Sequence, residues 1–297
     1  MSTPFSLAND SVYRVWREEK LAKYPDSIDE LIVTLDDPRA LTPCDIQALQ
    51  AGCDRANMVL YHAPKVPVAD KNVPRRFAQQ LGLERLEGNY LADEDGLSSI
   101  TPAGDEAGGR GEYIPYTHKP INWHTDGYYN APDRRILGML LHCVQDADSG
   151  GENALLDPEI AYIQLRDTRP EYIAALMQAD VMTIPARMDE DNIARPEQSG
   201  PVFSVDPAEG FLYMRYTART RSIEWKQDEM TQAAVRALAE ILNDSEYILR
   251  ARLTPGMGII CNNVLHTRTA FSDSPERRRL LYRGRYYDRL NFSARAG

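Results

Sequence analysis

The chain has 297 residues, of which 43% are apolar and 26% charged, so it is long enough to bury a large core. Its 44 acidic residues outnumber the 34 Lys and Arg residues, and the net charge of −10 argues against binding nucleic-acid phosphates. No apolar run approaches the roughly 20 residues that cross a bilayer, and no secretory signal opens the chain. We therefore expect a cytoplasmic protein that binds a small molecule and neither nucleic acid nor a membrane. A homo-oligomer is one option for its assembly.

The first 87 residues are predicted to be mostly helical. Thr42 is a helix N-cap followed by Pro43 at the first helical position and Asp45 in the first turn. A short apolar strand, Met58–Tyr61, and a second helix, Val73–Leu81, follow. Residues 88–116 are rich in Gly, Asp, Ser and Pro, which predicts a long loop. Its part Leu97–Gly111 is either a lid over a site or a passive surface loop.

After this loop, strand-like apolar runs dominate the sequence, interrupted by helical patterns. The predicted strands are Ile136–Val144, Asn153–Leu156, Val181–Ile184, Phe211–Tyr216, Gly258–Cys261 and Leu280–Tyr287. The predicted helices are Pro158–Arg166, Pro170–Ala179 and Asp228–Leu242, the last with Met230, Ala234, Leu238 and Ile241 at helical spacing. Helices packed on a predominantly β core predict an α+β protein.

The four cysteines show no C-x-x-C spacing. Cys44 and Cys53 fall on one predicted helix, and Cys143 and Cys261 fall in strand-like runs. We expect reduced thiols in the core and no disulfide.

The tripeptide His124-Thr-Asp126 is the first candidate for chemistry. In an extended segment, residues two apart point to the same side, so the imidazole and the carboxylate would be able to share one metal ion. Taken alone the pattern is weak, because such a tripeptide occurs by chance in about one chain in three of this composition.

His266 strengthens the metal interpretation. It follows an apolar strand that ends at Asn262-Asn263, an arrangement that would bring a third ligand to the rim of a β barrel. Two imidazoles and one carboxylate form the facial triad typical of non-haem iron, which leaves three coordination positions for substrates and O₂. The alternative is a histidine that merely packs or caps a loop.

A series of arginines at the end of the chain is the third candidate. If this segment is a strand, Arg279, Leu281, Arg283, Arg285 and Tyr287 share one face. Three guanidinium groups on a core face are costly unless anions lie beside them. The alternative is a basic, solvated edge strand, which is the interpretation we prefer for Arg277 and Arg278.

Together these motifs resemble the taurine dioxygenase (TauD/TfdA) branch of the iron(II)- and 2-oxoglutarate-dependent oxygenases, which is related to clavaminate synthase. The resemblance extends from about Tyr116 to Tyr287. It depends on the segments 123–127, 150–157, 200–206, 214–216, 262–266 and 278–283. The N-terminal hundred residues match only in general character.

The resemblance implies roles for individual residues. His124, Asp126 and His266 correspond to the iron ligands. Arg279 corresponds to the arginine that pairs with the distal carboxylate of 2-oxoglutarate, and Asn153 stands where related enzymes place a Thr against that carboxylate. Arg283 corresponds to a position that holds an anionic group of the primary substrate. Spacing alone leaves open which carboxylate each of Arg279, Arg283 and Arg285 binds.

The resemblance also implies a fold and an activity. The fold is a double-stranded β-helix (jelly roll) with flanking N-terminal helices and a helical insert at about 225–244, all in one oxygenase domain, 1–297. Within it, 1–87 is the helical part, 88–116 the loop and 117–290 the jelly-roll core. The activity is hydroxylation of an unactivated C–H bond with Fe(II), 2-oxoglutarate and O₂, releasing succinate and CO₂. Because Asp126 is retained, halogenation is not expected.

The substrate is expected to be small, polar and anionic or zwitterionic. Arg283 and Arg285, with Arg215 and Arg219, favour an anionic group. Five aromatic residues lie near the predicted triad in sequence, namely Tyr113, Tyr116, Trp123, Tyr128 and Tyr129. They would be able to enclose an ammonium group of the substrate. The alternative is that they pack in the core. Two alternatives stay open, a cupin-type zinc or manganese hydrolase or isomerase that does not use 2-oxoglutarate, and a non-catalytic metabolite-binding protein.

Overall fold

The computed structural model describes residues 3–88, 93, 95–103, 113–189, 192–219 and 223–293. The helices of these residues are α1 (Asp10–Lys23), α2 (Pro43–Ala56), α3 (Asn72–Gln80), α4 (Pro158–Thr168), α5 (Pro170–Leu176) and α6 (Glu229–Asp244). The strands up to the middle of the chain are β1 (Ile32–Thr34), β2 (Met58–His62), β3 (Ser98–Ile100), β4 (Ile121–His124), β5 (Gly138–Gln145), β6 (Ser149–Gly150) and β7 (Asn153–Leu156). The remaining strands are β8 (Met182–Ile184), β9 (Arg187–Asp189), β10 (Asn192–Arg195), β11 (Gln198–Gly200), β12 (Phe203–Val205), β13 (Leu212–Met214), β14 (Glu224–Trp225), β15 (Leu249–Ala251), β16 (Met257–Cys261), β17 (Leu265–Arg268), β18 (Phe271–Ser272) and β19 (Leu280–Tyr286).

The helix α2 begins where its capping residues predict. The Thr42 hydroxyl accepts a hydrogen bond from the Asp45 backbone N–H at 3.2 Å, and the Asp45 carboxylate accepts one from the Thr42 N–H at 2.8 Å. Such reciprocal caps satisfy N–H groups that have no partner inside the helix, and each is worth about 1 kcal/mol. The helix ends at Asn57, which adopts the left-handed conformation with φ 54°.

The helix α6 begins directly after Asp228, the residue at which the sequence predicts its start, but it buries a different set of residues. The Asp228 carboxylate accepts a hydrogen bond from the Thr231 N–H at 2.8 Å. Ala234 and Leu238 are buried as predicted, whereas Thr231 and Leu242 are buried in place of Met230 and Ile241, which are only half-buried. The helical spacing of apolar residues identified the middle of the buried face of α6, but it missed the buried residue at each end by one position.

A six-stranded sheet has the order β1-β2-β16-β5-β19-β3, and its strands β2, β16 and β5 are mostly buried. Neighbouring strands place Tyr61, Leu140 and Tyr286 in one core with α2 and α3. The opposite face carries residues such as Leu60, Met139 and Ile259, which line a cavity. A four-stranded sheet with the order β15-β7-β17-β4 contributes Asn153, Leu155, Ala251 and His266 to the same cavity lining.

The strand β3 corrects the prediction that residues 88–116 form a loop throughout. Ser98–Ile100 pairs antiparallel with β19, and Leu97, Ser98 and Ile100 are buried. The first part of the predicted lid is therefore a strand of the six-stranded sheet. Residues 104–112 lie outside the described residues, so the lid prediction for them is unchanged.

The chain divides into two compact units, neither of which is continuous in sequence. The first comprises residues 1–24, 122–135 and 156–248 and contains α1, α4, α5 and α6. The second comprises residues 25–121, 136–155 and 249–297 and contains the six-stranded sheet. Helices and sheets are thus mixed, as an α+β fold requires. In the described residues no helix is both long and apolar enough to cross a membrane.

All four cysteines are free thiols. Cys53, Cys143 and Cys261 are buried, as predicted, whereas Cys44 is exposed and corrects the prediction of a core position for it.

Candidate metal centre

The segment around His124 and Asp126 is held in an extended conformation. The Thr125 N–H donates to the Tyr216 carbonyl at 3.0 Å, the Ala218 N–H donates to the Trp123 carbonyl at 2.8 Å, and His124 forms a bridge with Thr217. Because alternate side chains of an extended chain point to the same side, His124 and Asp126 face one way while Thr125 is fully buried on the other. This geometry is the one that the His-x-Asp spacing predicts.

His266 lies on β17, shortly after Asn262-Asn263, where the sequence predicts the end of the preceding strand. Asn263 has a φ of 50°, a conformation that asparagine tolerates better than most residues, and its side-chain amide donates to the Ile136 carbonyl at 2.7 Å. The turn ends β16 and starts β17, which brings His266 to the cavity lining. The side chain of His266 is 7% exposed.

The donor atoms of His124, Asp126 and His266 all lie within 4.8 Å of one another. The structure thus brings together the three residues that the sequence predicts as a metal centre. This is the separation expected of groups that share one ion, and the set contains two imidazoles and one carboxylate. Among the described residues, this is the one cluster of three or more His, Cys, Asp or Glu donors with such geometry.

Both histidines have the same fixed tautomer. Nδ1 of His124 lies 2.9 Å from the Asn122 carbonyl oxygen, and Nδ1 of His266 lies 2.9 Å from the Val264 carbonyl oxygen. A carbonyl oxygen only accepts, so each Nδ1 carries the proton and each Nε2 keeps a lone pair. Metal-binding histidines are commonly oriented by such a bond from their other ring nitrogen.

Arg279 is buried without a carboxylate partner. Its guanidinium is 5 Å from the Phe271 ring centroid, and its backbone N–H donates to Asp273 at 3.1 Å. Arg279 as a whole residue is 5% exposed. Among the described residues, no carboxylate lies within ion-pair distance of its guanidinium. Burial lowers the pKa of Arg279 to about 10, although the group stays protonated at neutral pH.

Asn153 lines the same cavity as His266. Its side-chain N–H donates to the Thr267 carbonyl at 2.8 Å, so β7 and the ligand-bearing strand β17 are tied together at this point. The turn before β7 contains Gly150 and Gly151, both with positive φ values of 73° and 74°. A Cβ at Gly150 would lie 2.2 Å from the Ala270 carbonyl oxygen, so the turn requires glycine there.

Arg283 and Arg285 occupy the predicted face of β19. Arg283 pairs with Leu141 and Arg285 with Met139 across the β5 ladder, and cross-strand partners point to the same side of a sheet. Leu141 and Met139 line the cavity with His266. The register shifts between Leu280 and Leu281, and the strand ends at Tyr286. Arg279 and Tyr287 therefore lie outside the strand that was predicted to align all five residues.

Arg285 has a partner that sequence reasoning missed. Its guanidinium forms an ion pair with Glu87, and both side chains are about 5% exposed. The Glu87 N–H also donates to the Arg285 carbonyl at 2.8 Å. Nothing in the local sequence signals this pairing, because Glu87 precedes the predicted loop and lies far from Arg285 in the chain.

Two further arginines bind backbone carbonyls. Arg268, two residues after His266, donates to the carbonyls of Pro115 and Thr117 at 3.0 and 2.8 Å, and so fixes the segment that leads into β4. Arg215 donates to the carbonyls of Met182 and Gly200, which joins β8 to β11. Arg215 was expected to favour a substrate anion, but its guanidinium is used to hold strands together.

Tyr128 and Tyr129 form an aromatic pair directly after the Asp126-Gly127 turn. Their ring centroids are 5.1 Å apart with the planes at 82°, the edge-to-face geometry that aromatic rings favour. The Arg195 guanidinium lies 5.6 Å from the Tyr129 ring centroid. Tyr116, another expected aromatic, is a core residue with 2% exposure.

The chain belongs to the family described as taurine catabolism dioxygenase TauD, TfdA family, whose model matches residues 27–284. The matched range is most of the chain.

Two relatives are named uridine-5'-phosphate dioxygenase. One, from Amycolatopsis sp, is 29% identical over 170 residues, which is 55% of this chain and 60% of the relative. The other, from Streptomyces sp, is 27% identical over 201 residues, which is 64% of this chain and 69% of the relative. The match thus spans less than two thirds of the first relative.

Solved structures share the fold at low sequence identity. An asparagine oxygenase, solved with Fe(II), hydroxyasparagine and succinate, superposes with a TM-score of 0.57 at 15% identity and covers 86% of this chain and 93% of its own. A taurine dioxygenase from Burkholderia xenovorans superposes with a TM-score of 0.58 at 19% identity and covers 86% of each chain.

Proposed function

We propose that the protein is an Fe(II)- and 2-oxoglutarate-dependent dioxygenase that hydroxylates a C–H bond of a small polar, anionic metabolite. The observation that carries this proposal is the cluster of His124, Asp126 and His266 in a chain of the TauD/TfdA family. The family supplies the reaction class, and the cluster supplies the residues.

The donor set fits iron(II). Two imidazole nitrogens and one carboxylate are the facial triad of non-haem iron oxygenases, and both histidines keep the Nε2 lone pair that a metal requires. Asp126 is 3% exposed, so a bound cation would stabilise the buried negative charge of its carboxylate. When bound, the iron together with 2-oxoglutarate and O₂ supplies the oxidation of the C–H bond, with release of succinate and CO₂.

The co-substrate is proposed to bind through its distal carboxylate to Arg279. A buried guanidinium without a described carboxylate partner is suited to a bidentate carboxylate of a ligand. Asn153 is proposed to donate a hydrogen bond to the same carboxylate. One N–H of its side-chain amide already donates to the Thr267 carbonyl, so the second N–H of that amide would be used.

The primary substrate is proposed to carry an anionic group that faces Arg283. Arg285 lies on the same side of β19, but an anion would compete there with Glu87, so we propose that Arg285 orients the strand face and adds positive charge. Tyr128 and Tyr129 are proposed to contact the non-anionic part. Uridine 5'-phosphate is the first compound to test, because two relatives are named for it. An amino acid zwitterion, the class expected from sequence, is the second.

The jelly roll is proposed for the β core. It is supported by the cavity that residues of the six-stranded and four-stranded sheets line together, and by the fold shared with family members. We retain one oxygenase domain as the functional unit, since the family match runs from 27 to 284. A cytoplasmic location and a homo-oligomer are retained as predictions from sequence.

The test is an anaerobic titration of the purified protein with Fe(II) and 2-oxoglutarate. A visible charge-transfer band of the chelate is expected, followed on admission of O₂ by substrate-stimulated succinate formation. His124→Ala, Asp126→Ala and His266→Ala are each expected to lose iron and the band. His62→Ala, at the end of β2, is the matched control and should keep both.

Two outcomes would contradict the proposal. Binding of zinc or manganese with hydrolysis or isomerisation, and no response to 2-oxoglutarate, would indicate a cupin-type enzyme. Bound iron and 2-oxoglutarate without succinate from any small acid, amino acid or nucleotide would indicate a metabolite-binding protein.

A further inference from the structure

The segment 273–279, which ends at Arg279, is folded into a compact turn. The Asp273 carboxylate accepts a hydrogen bond from the Arg279 N–H at 3.1 Å. Within the turn, Ser274 and Arg277 are joined by two backbone hydrogen bonds, of 3.2 and 3.1 Å. The backbone on the N-terminal side of Arg279 is therefore closed on itself before β19 begins.

A buried carboxylate anchors this turn to the end of β5. Asp146, which is 4% exposed, follows β5 directly. Both oxygens of its carboxylate accept from Nη2 of Arg277, at 2.8 and 2.9 Å. Arg252 donates to the same carboxylate at 3.2 Å and to the Ala147 carbonyl at 2.7 Å. The side chain of Arg277 is 45% exposed, so it is only partly the solvated residue that the sequence predicts. Charge-assisted hydrogen bonds to a buried carboxylate fix geometry as well as neutralise charge.

The segment 146–151, which begins with Asp146, also covers the side chain of Arg279. A Cβ added at Gly151 would lie 3.5 Å from Nε of Arg279 and 3.6 Å from Cβ of Phe271. The Arg279 guanidinium lies 5.0 Å from the Phe271 ring centroid. In the part of the chain that the structure describes, this guanidinium donates no hydrogen bond to the protein. Packing and the anchored backbone, and not a polar partner, therefore hold the side chain in place.

We propose that Asp146 is a positioning residue of the co-substrate site. Through its ion pair with Arg277 it holds the turn that orients Arg279 toward the distal carboxylate of 2-oxoglutarate. The inference rests on the proposed function, because Arg279 binds 2-oxoglutarate only if the protein is an enzyme of that class. A long side chain that is held in place before its ligand arrives loses less conformational freedom on binding, so the ligand binds more tightly. Loss of the ion pair leaves Arg279 in the site but less well oriented.

The experiment compares the affinities of the anaerobic, Fe(II)-loaded protein for 2-oxoglutarate and for pyruvate, each followed by the absorption band of its chelate. Pyruvate has the same 2-oxo acid group but no distal carboxylate, so its weaker binding does not depend on Arg279. Asp146→Asn and Arg277→Gln are each expected to weaken 2-oxoglutarate binding about two- to tenfold, the effect of one long side chain that must be ordered on binding. Pyruvate binding should be unchanged in both variants, whereas a general structural defect would weaken the binding of both acids.

Two further variants make the result specific. Arg252→Gln is the matched control, because Arg252 donates to the same carboxylate but lies outside the turn 273–279. It should bind 2-oxoglutarate as the wild type does, even if its free energy of unfolding is lower. Arg277→Lys should restore most of the affinity, because a single nitrogen of Arg277 contacts both carboxylate oxygens and a lysine ammonium is able to replace it. Circular dichroism and thermal unfolding establish that each variant is folded.

Failure of this proposal differs from failure of the proposed function. If Arg279→Gln weakens 2-oxoglutarate binding but Asp146→Asn and Arg277→Gln do not, the positioning role is wrong and the co-substrate site stands. If Arg252→Gln weakens it as much as Arg277→Gln does, or if pyruvate binding falls equally, Asp146 is a purely structural residue. If the wild type does not form the Fe(II)–2-oxoglutarate complex at all, the proposed function itself fails.

Discussion

His142 is a completely buried histidine that the candidate site does not use. Its Nε2 lies 2.9 Å from the Val68 carbonyl oxygen and therefore carries the proton, while its Nδ1 accepts from the Tyr61 hydroxyl at 2.8 Å. The ring stacks on Tyr61, with the centroids 5.9 Å apart. Both ring nitrogens are thus satisfied in the neutral form, and burial lowers the pKa of His142.

This neutral histidine predicts loss of stability in acid. The unfolded chain takes up the proton near pH 6.5, whereas the folded protein takes it up only at lower pH. The contribution of neutral His142 to the free energy of unfolding is therefore complete above pH 6.5. As the pH falls from there through the pKa of His142 in the folded protein, this contribution is lost, by at most about 1.4 kcal/mol per pH unit. Urea unfolding at pH 7.5 and 5.5 should show a smaller pH effect in His142→Asn than in the wild type. His62→Asn serves as the control, and an identical pH effect in all three proteins would contradict the prediction.

Arg279 is predicted to set the affinity for 2-oxoglutarate. Arg279→Gln removes a charge-assisted bidentate contact and is expected to raise the 2-oxoglutarate concentration needed for the anaerobic absorption band roughly ten- to hundredfold. Arg278→Gln, an exposed neighbour in the same segment, should leave the titration unchanged. If Arg285→Gln weakens the titration and Arg279→Gln does not, the two roles are exchanged.

The individual site residues differ in how far the sequence predicts them. His124 and Asp126 are two apart on one extended segment, so local geometry brings them to the same side. His266 needs the turn at Asn262-Asn263, which its composition signals. The Glu87–Arg285 ion pair depends on contact between two segments that are far apart in the sequence, so no local pattern predicts it.

Among the structural elements, the Gly150-Gly151 turn is predicted to be sensitive to a single methyl group. Gly150→Ala requires a positive φ, which costs a residue with a side chain about 1–2 kcal/mol, and brings Cβ to 2.2 Å from the Ala270 carbonyl. Gly210→Ala is a matched control with φ 76° and no atom within 4 Å of the added Cβ. Gly150→Ala should therefore lower the free energy of unfolding clearly more than Gly210→Ala does. Equal losses would mean that backbone strain alone, without the clash, accounts for the effect.

Helices whose first residues carry a capping side chain were predictable from the sequence. A strand that forms by pairing with a segment far away in the sequence was not. The helices α2 and α6 begin at the caps Thr42 and Asp228, because side-chain hydrogen bonds there act locally. The strand β3 has only three residues, and its sequence shows no clear alternation of apolar and polar residues. It forms because its backbone pairs with the antiparallel strand β19. The composition of the segment around it is that of a loop, which is why the sequence predicted one.

Across the whole molecule, the helix α1 is joined to α4 by a buried charge cluster that lies partly outside the family match. The ammonium of Lys20 lies 2.6 Å from carboxylate oxygens of both Asp157 and Glu159. Desolvation opposes the charge of Lys20, but the two carboxylates outweigh it, so the pKa of Lys20 is raised. The family model begins at residue 27, after α1 has ended.

Removing this lysine is predicted to be strongly destabilising. Lys20→Met would leave the fully buried Asp157 carboxylate and the half-buried Glu159 carboxylate without their cation. Removing one partner of a buried ion pair typically costs about 3–5 kcal/mol. Lys23→Met, an exposed residue of the same helix, should change the free energy of unfolding by less than about 0.5 kcal/mol. Denaturant unfolding of the two variants measures the difference. A loss below about 1 kcal/mol for Lys20→Met would show that water or protonation replaces the lysine at little cost.

The discontinuity of the two units has a consequence for recombination between relatives. In one unit, the contact between the Tyr129 ring and the Arg195 guanidinium of the β9–β10 hairpin joins the segment 122–135 to the segment 156–248. A chimaera that exchanges only the longer segment would bring in a foreign hairpin but keep the resident tyrosines. A chimaera should therefore keep a native pairing of hairpin and tyrosines only when both segments come from the same relative, although twenty residues of the other unit separate them in the sequence.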